Sequence, residues 1–209
     1  DFIPVPLFTF QGPSAQRDGF LENEYWRYYD AFFSILERLH KKYPELIIQM
    51  CSNGGMREDL GMISRVNETY TNEGRTLDVL RPYSGKTVSL PPEILCIGLG
   101  TATDRAPLET FLRVAFTLST PWLLNGVAPS LEELSLERRN SFLRYSNLYK
   151  SFIRPLLSTT RVYHHAPVNS HEGADAGPWF CMEFAARNRT KGWATIVRLA
   201  NSNTEYYLL

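Results

Sequence analysis

A chain of 209 residues, 44% hydrophobic and 21% charged, can bury one substantial core or a core with a smaller appended unit. Its 22 basic residues equal its 22 acidic ones, which leaves no electrostatic footprint for nucleic acid or anionic lipid, and no apolar run approaches the ~18 residues of a membrane span. Cys51, Cys96 and Cys181 are odd in number and widely spaced, matching neither a zinc spacing nor a disulfide framework, so no metal and no cofactor is implied.

Residues 1 to 23 lack clean periodicity: Asp1-Phe2-Ile3 suits a strand end, and the stretch through Gly12-Pro13 and Arg17-Asp18-Gly19 reads as a long loop. A helix is expected from about Glu24 to Tyr43, because Tyr25, Tyr28, Tyr29, Phe32, Phe33, Leu36 and Leu39 recur at spacings of one, three and four. His40, Lys41 and Lys42 suit its last turn, and Pro44 stops it. Residues 46 to 51, Leu-Ile-Ile-Gln-Met-Cys, read as a short buried parallel strand running into Ser52-Asn53-Gly54-Gly55, where the glycines permit close backbone approach. A second strand is expected at 68 to 71, followed by the polar tip Asn72-Glu73-Gly74-Arg75 and a helical stretch from near Thr76.

Residues 84 to 92 read as loop, 93 to 97 as a third strand, 106 to 118 as a mostly buried helix with a proline near its start, and 122 to 124 as a further strand. Ser130-Leu131-Glu132-Glu133 forms a capping box for helical structure reaching Ile153, and Pro155 ends or kinks it. From Arg161 the pattern turns to short β-prone runs around 162–163, 179–183, 193–199 and 206–209. This alternation followed by strands predicts an α/β unit over 1–160 and the start of an all-β unit over 161–209. Asp1 reads as an internal cut and the apolar ending Tyr206-Tyr207-Leu208-Leu209 as a strand that continues. The triplets Asn67-Glu68-Thr69 and Asn188-Arg189-Thr190 fit the glycosylation pattern, which arises easily by chance.

Residues 49 to 59, Gln-Met-Cys-Ser-Asn-Gly-Gly-Met-Arg-Glu-Asp, resemble the Cys-x-x-Gly-Gly-x-Arg-x-Asp signature of glycoside hydrolase family 36 α-galactosidases, the melibiase superfamily. The helix over 28 to 44, the run Leu148-Tyr149-Lys150 with Arg154-Pro155-Leu156-Leu157, and Trp193-Ala194-Thr195 through Leu199 resemble the family's segments in the same order. The resemblance implies the second half of a (β/α)₈ barrel running into a C-terminal β-sandwich, with a missing N-terminal part of the same protein supplying the other strands. It implies a retaining glycosidase acting on a terminal α-linked galactoside or related sugar through a covalent glycosyl-enzyme, with an oligosaccharide or glycoside as partner.

By the same resemblance, Asp1 stands at the place of the nucleophile that closes a Lys-Trp-Asp motif, and Glu73 stands where the family's acid/base Asp follows the next strand. Gln49, Cys51, Ser52, Gly54 and Gly55 fall in the sugar-binding turn, and Arg57 and Asp59 fall where a charge pair could brace its loop. The chain departs from the pattern at three places: Glu73 replaces Asp, Gln49 replaces Glu, and Cys96-Ile97-Gly98 stands where a histidine is usual. Glu is longer than Asp by one methylene, and misplacement on that scale costs about 10²-fold in rate unless the backbone compensates.

Read without the family, Glu73 is equally a solvated loop glutamate, Cys51 an inert thiol, and Asp1 a chain end with no local signal. His164 and His165 have no third ligand at useful spacing, and no catalytic role is assigned to them. Most of the 11 Tyr, 12 Phe and 4 Trp are explained by core packing, although aromatic faces also suit sugars. Two alternatives share the fold: glycosyl transfer, and a catalytically silent carbohydrate-binding relative.

Overall fold

The computed structural model describes residues 15–17, 20–22, 24–51, 57–71, 79–99, 108–123, 135–165 and 179–199. The chain divides into two compact units, residues 1–69 and 70–209. In the first, β1 (Ala15–Arg17) and β2 (Phe20–Glu22) pair antiparallel with Ala15 opposite Glu22. The pairing brackets Asp18-Gly19, a dipeptide suited to a two-residue hairpin, so the expected long loop contains a hairpin.

Helix α1 (Glu24–Lys42) follows its periodicity and ends on His40, Lys41 and Lys42, where cations face the negative end of the helix dipole. Leu36 is buried with Met50 and Met62, and Tyr29, Phe32, Phe33, Ile48 and Val66 pack around them. Strand β3 (Gln49–Met50) runs parallel to β4 (Glu68–Tyr70), with Gln49 opposite Glu68 and Met50 opposite Thr69. Between them lies α2 (Leu60–Ile63), capped by Asp59.

The buried strand expected over 46–51 is confined to two residues, and Ile47 is 71% exposed. Asn67 sets this limit: its Oδ1 accepts the Ile48 N–H at 2.8 Å and its own N–H donates to the Ile48 carbonyl at 2.9 Å. Because β4 begins only at Glu68, Leu46 and Ile47 face no partner strand among the described residues. Arg65 ties this turn to α1, donating to Glu37 at 2.7 Å and to the Gly61 carbonyl at 2.8 Å while its guanidinium lies 4.4 Å from the Phe33 ring centre. His40 meets the Arg65 carbonyl at 3.0 Å, a helix-end bracing role.

In the second unit the Thr71 N–H, at the end of β4, donates to the Cys96 carbonyl at 2.9 Å. Helix α3 (Leu80–Lys86) precedes β5 (Leu95–Leu99), α4 (Leu108–Leu118) follows it, and β6 (Thr120–Leu123) returns parallel to β5 with Cys96 opposite Thr120. Residues 84 to 86, expected as loop, close the last turn of α3, and Pro92–Ile94 forms a 3₁₀ turn. This is the strand–helix alternation of a barrel-like α/β unit.

Helix α4 buries Phe111, Leu112, Val114, Ala115, Phe116, Thr117 and Leu118 because packing partners lie on both sides of it: β5 and β6 on one, α5 and the antiparallel sheet on the other. Two of its last carbonyls, which have no partner within the helix, are met from elsewhere. Tyr83 Oη donates to the Leu118 carbonyl, and Trp193 Nε1 to the Thr117 carbonyl at 2.8 Å.

Helix α5 (Leu136–Leu148) starts at Ser135, whose Oγ accepts the Arg138 N–H; the expected capping box at 130–133 lies outside the described residues. It widens into a π turn at Tyr149–Ile153 before α6 (Arg154–Leu157). Pro155 has no N–H to give the Ser151 carbonyl and its ring crowds that carbonyl, so the expected kink takes the form of one wider turn.

Strands β7 (Thr160–His164), β8 (Trp179–Ala186) and β9 (Gly192–Arg198) form an antiparallel, sandwich-like sheet with Val162 opposite Phe184 and Phe184 opposite Trp193. Alternation sends Phe180, Met182, Phe184 and Val197 into the core shared with α4 and α5. There the rings of Phe184 and Trp193 stack 4.9 Å apart and the hydroxyls of Thr117 and Thr195 meet at 2.7 Å.

Candidate functional site

In α/β barrels the chemistry sits at the C-terminal ends of the parallel strands. Asp1, Ser52, Gly54, Gly55 and Glu73 lie outside the described residues. Gln49, Cys51, Arg57 and Asp59 are described, all in the first unit.

Met50 points into the α1–α2 core, so strand alternation turns Gln49 and Cys51 to the opposite face. Cys51 is exposed, Cys96 and Cys181 are buried, and none of the three is in a disulfide among the described residues. Gln49 Nε2 donates to Glu68 Oε1 at 2.7 Å across the β3–β4 register. A carboxylate at 49 would meet a second carboxylate there, so Glu68 gives the glutamine a physical reason. Glu68 was not legible as a site neighbour, because only the register brings the two together.

Arg57 is buried to 2% exposure, with its guanidinium 5.8 Å from the Tyr28 ring centre and 5.7 Å from that of Phe32. Those rings stack 5.9 Å apart one turn along α1 and offer the cation a π surface. Its Nε and Nη2 find no hydrogen-bond partner among the described residues. Asp59 accepts the Met62 N–H at 2.9 Å as the α2 cap. The possible Arg57–Asp59 charge pair is thus replaced by two separate anchors of one loop, a cation on aromatic rings and a carboxylate on a helix start. Glu58, between them, accepts from the Thr69 hydroxyl of β4. Gly61 is required here, because a Cβ would lie 2.9 Å from Asp59 Oδ1 and 3.0 Å from Phe33 Cζ.

In the second unit, Thr71 follows the end of β4 at Tyr70 and stands two residues before Glu73. Thr71 is buried, its carbonyl accepts from Lys86 Nζ at 2.6 Å, and its Oγ1 has no partner among the described residues. Lys86 is a supporting residue that sequence reasoning missed; its only signal was a basic residue in a helical last turn. Tyr83, one turn earlier, is fully buried, and burial, with a smaller contribution from the charge of Glu93, holds its phenol well above its ordinary pKa of 10.0.

His164 Nε2 meets Thr87 Oγ1 at 3.0 Å and the Ser84 carbonyl at 3.1 Å, and His165 Nε2 meets Glu183 Oε2 at 2.8 Å. Among the described residues no group of His, Cys, Asp and Glu is placed to hold a metal, and no helix is long and apolar enough to cross a membrane.

Residues 11–100 match the family model described as Melibiase. Alpha-galactosidase 2 of Pediococcus pentosaceus is 33% identical over 149 residues, which is 66% of this chain and 20% of that protein. The glycoside hydrolase family 36 α-galactosidase AgaA of Geobacillus stearothermophilus superposes with a TM-score of 0.76 at 19% identity, covering 92% of this chain and 26% of that one. A variant of the same enzyme in complex with stachyose superposes with a TM-score of 0.76 at 19% identity, over 95% of this chain and 27% of that one. The chain therefore spans about a fifth of the length of the curated relative it matches, and the likeness to the solved structures establishes the fold.

Proposed function

Because the chain is homologous to the glycoside hydrolase family 36 (melibiase) superfamily, we propose that it is part of a glycosidase that hydrolyses terminal α-linked galactosides or a related sugar with retention. The observation that carries this reading is the family match over residues 11–100, which takes in both the 49–59 segment and Glu73. Remaining barrel strands and the opposite wall of the pocket are assigned to other parts of a longer polypeptide. The division into a barrel part at 1–160 and a β-sandwich part from 161 belongs to the same proposal.

In this mechanism Asp1 attacks the anomeric carbon while Glu73 gives its proton to the departing glycosidic oxygen, and the bond between them breaks. Water then attacks the glycosyl-enzyme, Glu73 takes back a proton, and the Asp1 carboxylate is released. The two carboxyls must stand about 5 to 5.5 Å apart for this double displacement. Gln49, Cys51, Ser52, Gly54 and Gly55 bind the sugar's hydroxyls, and the anchors at Arg57 and Asp59 hold their turn. The fixed Gln49–Glu68 pair keeps one amide oriented at the base of that turn.

A catalytically silent carbohydrate-binding relative is the second reading, favoured by Gln49 and by Glu73 in place of Asp. Glycosyl transfer uses the same covalent intermediate with another acceptor. The test is nitrophenol release by the full polypeptide from a panel of nitrophenyl α- and β-glycosides, with Glu73→Gln alongside. Turnover of the α-galactoside that falls by about 10²-fold or more in the variant supports the assignment. A folded protein inert on every sugar removes the hydrolase reading and favours the silent relative.

A further inference from the structure

We propose that Arg57 is a docking site for a buried carboxylate. The Nε–Nη2 edge of its guanidinium takes, bidentately, the side chain of an aspartate or glutamate from the barrel segment that precedes α1. The proposal rests on the reading that a longer polypeptide completes the barrel, and it uses no step of the hydrolysis.

A planar guanidinium presents its N–H groups as a fixed fork, and Nε–H lies parallel to one Nη2–H along a single edge. In Arg57 it is this pair of nitrogens that is buried without a hydrogen-bond partner among the described residues. Two parallel donors match the two oxygens of a carboxylate, whereas a single carbonyl or hydroxyl closes one of them and brings no counter-charge. The rings of Tyr28 and Phe32 give the cation a π surface but no lone pair for an N–H. With 2% of the residue exposed, solvent does not make up the difference, and a buried cation held by rings alone is costly.

The neighbouring carboxylates are engaged elsewhere. Glu58 accepts from the Thr69 hydroxyl, and Asp59 accepts the Met62 N–H. Glu68 is tied to Gln49 and Glu37 to Arg65.

The order of helix and strand says where the acceptor comes from. In a barrel each helix packs over the two strands it connects, so α1 covers the seam between β3 and the strand before it. Strand β3 pairs with β4 on one edge, and no strand pairs with its other edge among the described residues. Arg57 follows β3 and reaches back onto Tyr28 and Phe32 in the first half of α1, which sets its guanidinium at that seam. A diffusing anion fits less well, because the group it must reach is shut behind two rings. A carboxylate folded in with the preceding strand arrives from the inside and ties the loop around Arg57 to that part of the barrel.

The experiment is a crystal structure of the full polypeptide, with 4-nitrophenyl α-galactoside turnover measured on the same preparation. Expected is an aspartate or glutamate from the segment preceding α1, its two oxygens about 2.7–2.9 Å from Nε and Nη2. Thermal unfolding then compares Arg57→Met, the amide variant of that partner, and the two combined. Each single change should lower the midpoint by at least about 3 °C, and the double variant by no more than the larger single loss. Arg57→Lys keeps the charge without the fork and should fall between wild type and Arg57→Met. Water, a free anion or a backbone carbonyl on that edge overturns the proposal, and so do additive losses. A carboxylate on Arg57 in a protein inert on every glycoside leaves the proposal standing and sinks only the hydrolase reading. Turnover with water on Arg57 does the reverse.

Discussion

Replacing Tyr83 with phenylalanine removes one oxygen from a fully buried ring and leaves the packing volume almost unchanged. The hydroxyl it deletes closes the Leu118 carbonyl, in the last turn of α4, where the helix itself supplies no donor. A hydrogen bond is worth about 0.5–1.5 kcal/mol net, but an acceptor left buried and unpaired loses about 1–3 kcal/mol. Leu118 is 0% exposed and water has poor access to it, so the upper half of that range applies, giving about 2–3 kcal/mol. Urea unfolding should show the midpoint falling with an unchanged slope, and thermal unfolding should show a drop of roughly 4–10 °C.

Alkaline pH supplies a separate signature. The folded phenol is held above its ordinary value of 10.0, so its contribution to stability is fully present below that pH and is lost as pH rises through the folded value. The alkaline limb should be shallower in Tyr83→Phe. Trp193→Phe opens the neighbouring Thr117 carbonyl, and the double variant should lose less than the sum, because one frayed helix end cannot be uncapped twice. A Tyr83→Phe protein with an unchanged midpoint would refute the reasoning that these side chains cap α4.

Gly61→Ala should destabilise by about 1–3 kcal/mol in chemical denaturation, since the added methyl must displace either the Asp59 cap or the Phe33 ring. Gln49→Glu sets a carboxylate against Glu68 and should cost about 1–3 kcal/mol; adding Glu68→Gln restores an amide–carboxylate pair, and stability that fails to return in the double variant would show that the pairing is incidental. Glu109 accepts from Ser141 and Tyr145 and lies beside Arg144 and Arg113, which together hold its carboxyl below the usual range. Its stabilisation is therefore present above the ordinary carboxylate pKa and lost as pH falls through the lowered value. Glu109→Gln should flatten the acid limb of a stability–pH curve, and an identical limb would count against this cluster.

Helices α1 and α4, strand β4 and the change to antiparallel strands after residue 160 were legible because each carries its own period. Leu46 and Ile47 were not: three consecutive apolar residues look buried whichever strand they face, and the length of the pairing was set by Asn67, nineteen positions from Ile48. A motif marks Cys51, Arg57 and Asp59, but composition cannot distinguish an Arg57–Asp59 pair from an arginine seated on Tyr28 and Phe32. Glu68 opposite Gln49 and Lys86 on the Thr71 carbonyl exist only through register and packing. Trp193 looked like any strand aromatic, because its cap on α4 joins residues 76 positions apart.

That separation has a consequence for synthesis. Tyr83 leaves the ribosome before α4 does, but Trp193 follows Thr117 by 76 residues. At about 5–20 residues per second, roughly 4 to 15 s pass in which one apolar flank of α4 is without half of its closure. Until Trp193 arrives, the Thr117 carbonyl and the side chains of α4 that pack on β8 and β9 lack their native cover.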